Sequence, residues 1–236
     1  MITRTRSAES VPVITIDGPS GTGKGTIALL MAKELQWRLL DSGALYRILA
    51  LAATQQQIDF NDINALTTLA ESLPVSFKSS PENDLAIFLS GDEVSALIRT
   101  EEMGNKASQV AAIPSVREAL KARQYAFREP PGLVADGRDM GTVIFPDATL
   151  KLYLTASAER RAERRYKQLK QKGLSVNIAD LSRDIAERDA RDASRTVAPL
   201  KPAADAHVID TSELTINEVM EKIRQLLVQH KIKPGK

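Results

Sequence analysis

The stretch that decides the fold reads Gly18-Pro19-Ser20-Gly21-Thr22-Gly23-Lys24-Gly25-Thr26. It follows the apolar run Val11–Ile16 and opens a helix-period segment near Lys24. Glycines without Cβ let consecutive backbone N–H groups turn inward around an anion, and a helix starting there adds the positive end of its dipole. Lys24 adds a full charge for the β- and γ-phosphates. The pattern predicts a strand, a loop in which all nine residues bind nucleotide phosphates, and a helix.

The end of this loop departs from the common pattern, in which Ser or Thr follows Lys directly. Here Gly25 follows Lys24, and the hydroxyl comes one residue later, at Thr26. In the common form that hydroxyl binds Mg²⁺, so the shift weakens the case for direct ligation, although Thr26 is kept as a predicted metal ligand. The Gly-Lys-Gly-Thr ending is similar to that of the nucleoside monophosphate kinases.

Composition is that of a globular protein and excludes several classes. Apolar residues are 43% and charged residues 26% of 236, enough for one α/β core with a small insertion. The chain has no cysteine, which excludes a disulfide scaffold, a thiolate metal site and a cysteine nucleophile. The opening residues lack the apolar core of a secretory signal, and no stretch approaches the ~20 apolar residues that span a bilayer. We therefore expect a cytoplasmic protein without a membrane partner.

Charge argues against a nucleic-acid partner, because the formal net charge is only +2 and aromatic residues for base stacking are scarce among the basic clusters. These clusters comprise Arg160, Arg161, Arg164 and Arg165, and then Arg183, Arg188, Arg191 and Arg195. Local positive charge accompanied by a phosphate loop favours a small anionic ligand. No large apolar surface stripe is evident, so we expect a monomer.

Apolar runs alternate with helix-period segments, which predicts a doubly wound α/β fold with a five-stranded parallel sheet flanked by helices. The predicted strands are Val11–Asp17, Trp37–Asp41, Leu133–Asp136, Leu150–Thr155 and His207–Thr211. The predicted helices are Lys24–Leu35, Gly43–Thr54, Asn61–Glu71, Pro114–Arg128, Ala158–Lys172, Ile178–Ser194 and Thr215–His230. Residues 74–93 instead place two apolar runs around a polar turn at 79–84, which indicates an antiparallel hairpin insertion or an unremarkable surface excursion.

Polar residues at the carboxyl ends of these strands mark the expected ligand site. Asp136 is the candidate to hold the water shell of Mg²⁺, and its alternative role is turn chemistry. Ser42 either caps the helix that follows it or binds ligand. Arg47, one turn into that helix, could reach a second phosphate.

Two further groups each allow a functional and a structural interpretation. Arg138 and Asp139 follow Asp136 closely; an exposed pair would contribute little, so a ligand role is favoured. Arg188, Asp192 and Arg195 share one face of a predicted helix. That face is either exposed to solvent and held by ion pairs, or part of a lid that closes arginines over a transferring phosphoryl group. Ser108 and Arg117, taken alone, indicate only a helix surface.

These motifs occur in an order that resembles the bacterial cytidylate kinase family over residues 11–228. They are the phosphate loop, Asp-Ser-Gly-Ala-Leu-Tyr-Arg at 41–47, Ser108 with Val116-Arg117, Asp-Gly-Arg-Asp-Met-Gly-Thr at 136–142 and Glu-Arg-Asp-x-Arg-Asp-x-x-Arg at 187–195. The resemblance implies one P-loop kinase domain over 1–236, with an acceptor-nucleotide region at about 42–131, its insertion at about 74–93 and a short helical lid at about 160–196. It implies transfer of the γ-phosphoryl group of MgATP to CMP or dCMP, giving ADP and the diphosphate.

The resemblance also implies a role for each matching residue. Arg47, Arg138 and Arg188 would hold the acceptor monophosphate, and Asp192 with Arg188 its ribose. The cytosine would be surrounded by Ser108, Arg117, Asp139 and Arg195. Ser42 is also predicted to bind substrate, and the predicted catalytic residues are Lys24, Arg138, Arg188 and Arg195. A carboxylate such as Asp139 accepts from the cytosine amino group and repels the uracil carbonyl at the same place. Which of Arg160, Arg161, Arg164 and Arg165 contacts adenine stays open.

Other functions remain as alternatives. A related enzyme could phosphorylate UMP, AMP or a sugar acid. A GTP-binding switch needs Asp-x-x-Gly and Asn-Lys-x-Asp, but the chain lacks the first, and its Asn105-Lys106 continues as Ala107-Ser108. A purely regulatory ATP-binding module is disfavoured, since the arginine clusters imply a second anionic ligand.

Overall fold

A computed structural model describes residues 11–79, 85–171, 173 and 175–234. In this part of the chain the elements are, in order, β1 (Val13–Asp17), α1 (Lys24–Leu35), β2 (Arg38–Asp41), α2 (Ser42–Gln55), α3 (Ile63–Ser72), β3 (Val75–Ser79), β4 (Leu85–Leu89), β5 (Asp92–Glu93), α4 (Glu101–Val110), α5 (Pro114–Tyr125), β6 (Leu133–Asp136), a π-helical turn (Met140–Ile144), β7 (Leu150–Thr155), α6 (Ala158–Gln171), α7 (Ile178–Ala193), β8 (His207–Asp210) and α8 (Ile216–Gln229). None of these helices combines the length and apolarity that crossing a bilayer requires.

The larger sheet is parallel, with strand order β2-β6-β1-β7-β8. All five residues of the central β1 are buried, as expected of a strand covered by helices on both faces. In register, Asp41 of β2 lies opposite Asp136 of β6, which also pairs with Ile16 of β1. The carboxylates of Asp17, Asp41 and Asp136 are therefore neighbours at the carboxyl edge of the sheet.

The predicted α/β fold is confirmed, with small shifts at element ends. Strand β1 begins at Val13 because Pro12 has no N–H for the ladder. Strand β2 begins at Arg38 because the Trp37 amide bonds the Ala32 carbonyl at the end of α1. Helix α5 ends at Tyr125 rather than Arg128, because the amides of residues 127 and 128 bond carbonyls only three residues back.

The insertion is a three-stranded antiparallel sheet, β3-β4-β5, rather than a two-stranded hairpin. Most of its predicted turn, residues 80–84, lies outside the described residues. A second hydrophobic cluster joins this sheet to α2, α3, α4 and α5, and α2 contributes its largest share because it is apolar on nearly every side. Helix α4 was not among the predicted helices. It is nonetheless the element that brings Ser108 within hydrogen-bonding distance of Asp192 in α7.

Candidate active site

The loop between β1 and α1 has the geometry expected of a phosphate cradle. Gly18, Gly21 and Gly23 have φ of 141°, 80° and 92°. A Cβ on Gly18 would lie 2.0 Å from the carbonyl oxygen of Leu154, so no other residue fits there. Lys24 is buried at the start of α1 and donates to the Pro19 carbonyl at 2.7 Å. Burial, reinforced by the positive charge of Arg138, lowers the pKa of Lys24 to about 7.

All nine predicted substrate-binding residues line one cleft beside this loop, called here the arginine cleft. They are Ser42, Arg47, Ser108, Arg117, Arg138, Asp139, Arg188, Asp192 and Arg195. Helices α2, α4, α5 and α7 and the turn after β6 each supply at least one of them. The cleft is open to solvent on one side, and the empty space in it, open solvent included, is about 810 Å³.

The guanidinium groups of Arg47, Arg138 and Arg188 converge in this cleft. A Cβ on Gly104 of α4 would lie 3.2 Å from both terminal nitrogens of Arg47 and 3.1 Å from one of Arg188, so glycine gives them room. Burial, together with Arg138 and Arg47, lowers the pKa of Arg188 to about 9. Its Nε has no hydrogen-bond partner among the described residues. The cluster therefore carries unpaired positive charge of the kind that a phosphate monoester neutralises.

A second set of side chains forms a buried polar wall. Arg117 of α5 forms an ion pair with Asp139, and Arg195 forms one with Asp192. Ser108 donates to Asp192 at 2.9 Å, and Arg138 donates to the other oxygen of that carboxylate at 3.0 Å. Burial raises the pKa of Asp139 despite the opposing effect of Arg117. Burial also acts to raise the pKa of Asp192, but the surrounding arginines outweigh it and lower that pKa.

This burial decides several interpretations that the sequence left open. Ser108 is 2% exposed and Arg117 6%, so the helix-surface interpretation is wrong. Asp192 is 1% exposed, which excludes a solvated face. Arg195 lies beyond the end of α7 and reaches Asp192 from there. Arg138 and Asp139 are not an exposed ion pair, since each bonds a different partner inside the cleft.

The capping interpretation of Ser42, one of the two left open by the sequence, is also wrong. The cap of α2 is Asp41, whose carboxylate accepts from the Ala44 amide at 3.0 Å. Ser42 is buried as the first residue of the helix. Its hydroxyl lies 2.7 Å from where a Cβ on Gly137 would stand, so it faces the turn after β6.

The two residues predicted to hold Mg²⁺ line different clefts, Asp136 the arginine cleft and Thr26, at the end of the phosphate loop, a second one. A Cβ on Gly25 would lie 3.5 Å from a carboxylate oxygen of Asp136, which therefore faces the loop. Burial raises the pKa of Asp136 to about 6 although Lys24 opposes this. Thr26 is exposed on a second cleft. Among the described residues no three His, Cys, Asp or Glu side chains form a metal cage. Carboxylate and hydroxyl oxygens nevertheless suit Mg²⁺, which commonly takes one or two protein ligands with waters and phosphate oxygens.

The second cleft, called here the loop cleft, runs along residues 20–26. Only two of the four neighbouring arginines at 160–165 line it. Arg164 and Arg165 line it, the first donating to Thr211 and the second pairing with Glu101 of α4. Arg160 instead forms a forked pair with exposed Glu213. Arg161 is buried and bonds the Ser20 carbonyl and Asp189 of α7.

Sequence reasoning missed two residues of the site. Tyr46 lines the arginine cleft, with the Arg117 guanidinium 5.9 Å from its ring centre, and its place in the 41–47 motif was the available signal. Asp17 is a buried carboxylate at the end of β1. Its position directly before the phosphate loop was the only hint, because its partners lie more than a hundred residues away.

Comparison with known proteins shows the family to which this chain belongs. The family model described as cytidylate kinase matches residues 14–229. The cytidylate kinase of Marinomonas sp. (strain MWYL1) is 58% identical over 212 residues, which cover 90% of this chain and 93% of that protein. The cytidylate kinase of Shewanella sp. (strain MR-4) is 59% identical over 215 residues, 91% of this chain and 94% of its own. The crystal structure of shikimate kinase from Bacteroides thetaiotaomicron covers 92% of this chain and 98% of its own, at 12% identity and a TM-score of 0.42. The chain belongs to the cytidylate kinase family.

Proposed function

We propose that this protein transfers the γ-phosphoryl group of MgATP to CMP or dCMP, giving ADP and CDP or dCDP. Membership of the family supports the reaction. The observation that carries the assignment to this site is the convergence of Arg47, Arg138 and Arg188 beside the phosphate loop. Two anion sites side by side are what transfer between a triphosphate and a monophosphate requires.

The acceptor phosphate binds to the three arginines. Arg47 is held in place by its bonds to the carbonyls of Ile98 and Thr100, at 2.9 and 3.2 Å, so its guanidinium is positioned before substrate arrives. Arg188 has an unpartnered nitrogen and a lowered pKa, which an anion restores toward its ordinary value. The acceptor phosphate is already anionic, so the reaction needs positioning and charge stabilisation rather than a strong general base.

The polar wall recognises cytosine. The amino group at cytosine N4 donates to Asp139, while Ser108, Arg117 and Arg195 donate to N3 and O2. Arg117 pairs with Asp139 and holds its carboxylate in place. Uracil would bring a carbonyl oxygen against that carboxylate, and a site built on buried hydrogen bonds rejects such a partner strongly. Asp192 accepts hydrogen bonds from Ser108, Arg138 and Arg195. When substrate binds, a ribose hydroxyl replaces one of these three donors.

ATP binds along the loop cleft, with its phosphates on residues 18–26. The Thr26 hydroxyl and, through water, Asp136 would hold Mg²⁺, which would neutralise phosphate charge when bound. Lys24 stabilises the charge of the transferring group together with Arg138, Arg188 and Arg195. Adenine contacts Arg164 or Arg165, because these two of the four arginines line the cleft.

Closure around both nucleotides protects ATP from hydrolysis. The lid, α6 and α7, reaches the acceptor region through the Arg165–Glu101 ion pair and the Ser108–Asp192 hydrogen bond. These contacts join segments on opposite sides of the arginine cleft and exclude water when it is filled. We expect the enzyme to act as a cytoplasmic monomer without nucleic-acid partners.

A coupled assay of ADP release over CMP, dCMP, UMP and AMP tests the proposal. We expect the highest kcat/KM with CMP or dCMP. In Asp139→Asn the preference for CMP over UMP should fall by about 10- to 100-fold, as one charged hydrogen bond is lost. The control Asp147→Asn changes an exposed aspartate paired with Arg128 and should leave the ratio unchanged. Equal use of all four acceptors, or an unaltered CMP:UMP ratio in Asp139→Asn, would show that the base-recognition assignment is wrong.

A further inference from the structure

The proposed mechanism leaves one buried carboxyl group directly before the phosphate loop unused. Asp17, 4% exposed, ends β1 immediately before Gly18 of the phosphate loop. One of its carboxylate oxygens accepts from the Met140 amide and the other from the Gly141 amide, each at 2.8 Å. Both of its oxygens are therefore bound by the backbone of a single turn 123 residues further along the chain.

That turn, Met140–Ile144, is π-helical. The Ile144 amide bonds the Asp139 carbonyl, and the Phe145 amide bonds the Met140 carbonyl, each five residues back. The first amides of any helix lack acceptors within it and need a cap. Asp139 occupies the capping position, but its carboxylate is directed to Arg117. Asp17 supplies the missing cap from another strand.

The turn is also pressed against the sheet. A Cβ on Gly141 would lie 2.8 Å from the Thr15 hydroxyl, 3.2 Å from a side-chain carbon of Lys151 and 3.3 Å from Asp17. Only glycine allows this approach, so the backbone at 140–141 has little freedom to move toward or along β1. The hydrogen bonds that the Met140 and Gly141 amides donate to Asp17 restrict the remaining movement of this backbone.

We infer that Asp17 is a positioning residue for acceptor recognition. By holding the amides of Met140 and Gly141 it fixes the backbone from which Arg138 and Asp139 reach into the arginine cleft. Because Gly18 follows Asp17 directly, the same residue keeps the acceptor site in register with the phosphate loop. Displacements of about 1 Å at reacting groups reduce rates severely, which is why such bracing matters. The inference rests on the proposed roles of Arg138 and Asp139.

Asp17→Asn tests it with minimal change of shape. The amide keeps one acceptor oxygen but turns an NH₂ group toward one of the two backbone N–H groups, so one bond is replaced by a repulsive contact. We expect the KM for CMP to rise by about tenfold and the CMP:UMP ratio of kcat/KM to fall, with the KM for ATP nearly unchanged. A purely structural role would reduce the active fraction, and hence kcat, but would leave both the ratio and the KM for CMP unaltered.

Two further variants separate the possible failures. Ile14→Val removes a buried methyl group from the same strand without touching the turn, so it should lower stability and leave the ratio unchanged. If Asp139→Asn alters the ratio and Asp17→Asn alters neither the ratio nor the KM for CMP, the inference about Asp17 is overturned alone. If Asp139→Asn itself leaves the ratio unchanged, the proposed base recognition fails, and the inference falls with it.

Should Asp17→Asn fail to fold, hydrogen exchange in the wild-type protein decides the question. We expect the Met140 and Gly141 amides to exchange as slowly as the Val134 amide in the centre of the sheet, because each donates to a buried carboxylate. Exchange of both amides at the rate of exposed loops would refute the inference.

Discussion

Replacing Arg188 by methionine should stabilise the ligand-free protein while removing most of its activity. Arg188 lies beside Arg47 and Arg138, and burial together with these two cations lowers its pKa to about 9. Its Nε has no partner in the described part of the chain. Methionine keeps much of the apolar side-chain length without the charge, so the cost of holding an incompletely paired cation in the fold disappears.

The magnitude follows from the lowered pKa. Burial, with the positive charges of Arg138 and Arg47, lowers the pKa of Arg188 from the much higher ordinary value of an arginine to about 9. At ~1.4 kcal/mol per unit, the full conversion is roughly 4–5 kcal/mol. Arg188 is partly exposed, so solvent screening and local relaxation reduce the gain to about 1–2 kcal/mol. For a chain of this size that gain raises Tm by about 2–8 °C. Loss of the phosphate contact should lower kcat/KM by roughly 10²–10⁴-fold.

The pH dependence has a definite sign. Above pH 9 the unfolded chain keeps the Arg188 proton while the folded protein releases it, so wild-type stability rises as the pH rises past the lowered pKa of Arg188. Below pH 9 the full penalty is present. The stability advantage of Arg188→Met should therefore be constant near neutral pH and shrink as the pH rises above 9.

Urea denaturation at pH 7 and pH 10, in buffers without phosphate or sulfate, measures both effects. The control is Arg183→Met on the same helix, where the arginine is exposed and paired with exposed Asp180. It should change stability by less than about 0.5 kcal/mol. An Arg188→Met protein that is correctly folded yet less stable than wild type at pH 7 would refute the reasoning, since the positive charge would then be compensated.

Two other changes separate the two nucleotide sites. Lys24→Met should lower the rate of phosphoryl transfer in single-turnover assays by roughly 10²–10⁴-fold without lowering Tm, because it removes a buried charge that stabilises the transferring phosphoryl group. The control is Lys33→Met, since Lys33 is exposed on the same helix. Similar losses of activity in both variants would contradict the proposed role of Lys24. Arg161→Met should raise the KM for ATP by about tenfold and leave that for CMP unchanged, since Arg161 braces a phosphate-loop carbonyl and a lid carboxylate. Arg160→Met changes the adjacent arginine, which pairs with an exposed glutamate, and an equal effect there would argue against that brace.

The phosphate loop at 18–26 could be predicted from its glycine pattern because the conformation of the loop depends on adjacent residues. A positive φ at Gly21 or Gly23, and a following helix, are properties of a dozen adjacent residues. The five parallel strands were predicted for the same reason, since an apolar run between turn residues indicates a strand wherever it lies, although the edge strands β2 and β8 are mostly exposed or half-buried. The acceptor-binding residues were assigned through resemblance to a family. Such a resemblance identifies which residues match but does not give the distances or contacts between them.

Helix α4 was missed because its sequence from Glu101 to Val110 is mostly polar. Its few apolar side chains are buried only because α2 packs against them. The π-helical turn was missed because the carboxyl group that accepts from its first two amides belongs to Asp17, a residue far away in sequence. Likewise, nothing local distinguishes Arg161, which is buried and bonds the Ser20 carbonyl of the phosphate loop, from Arg164, which faces the loop cleft.

The sequence by itself determined the phosphate loop, the order of the parallel strands along the chain and the family. Only the tertiary structure decided that Ser108 and Asp192, 84 residues apart, share a buried hydrogen bond, and that three distant arginines meet in one cleft. The physical reason is range. Backbone conformation follows from neighbouring residues, whereas the burial and charge of a side chain depend on what the whole fold brings against it.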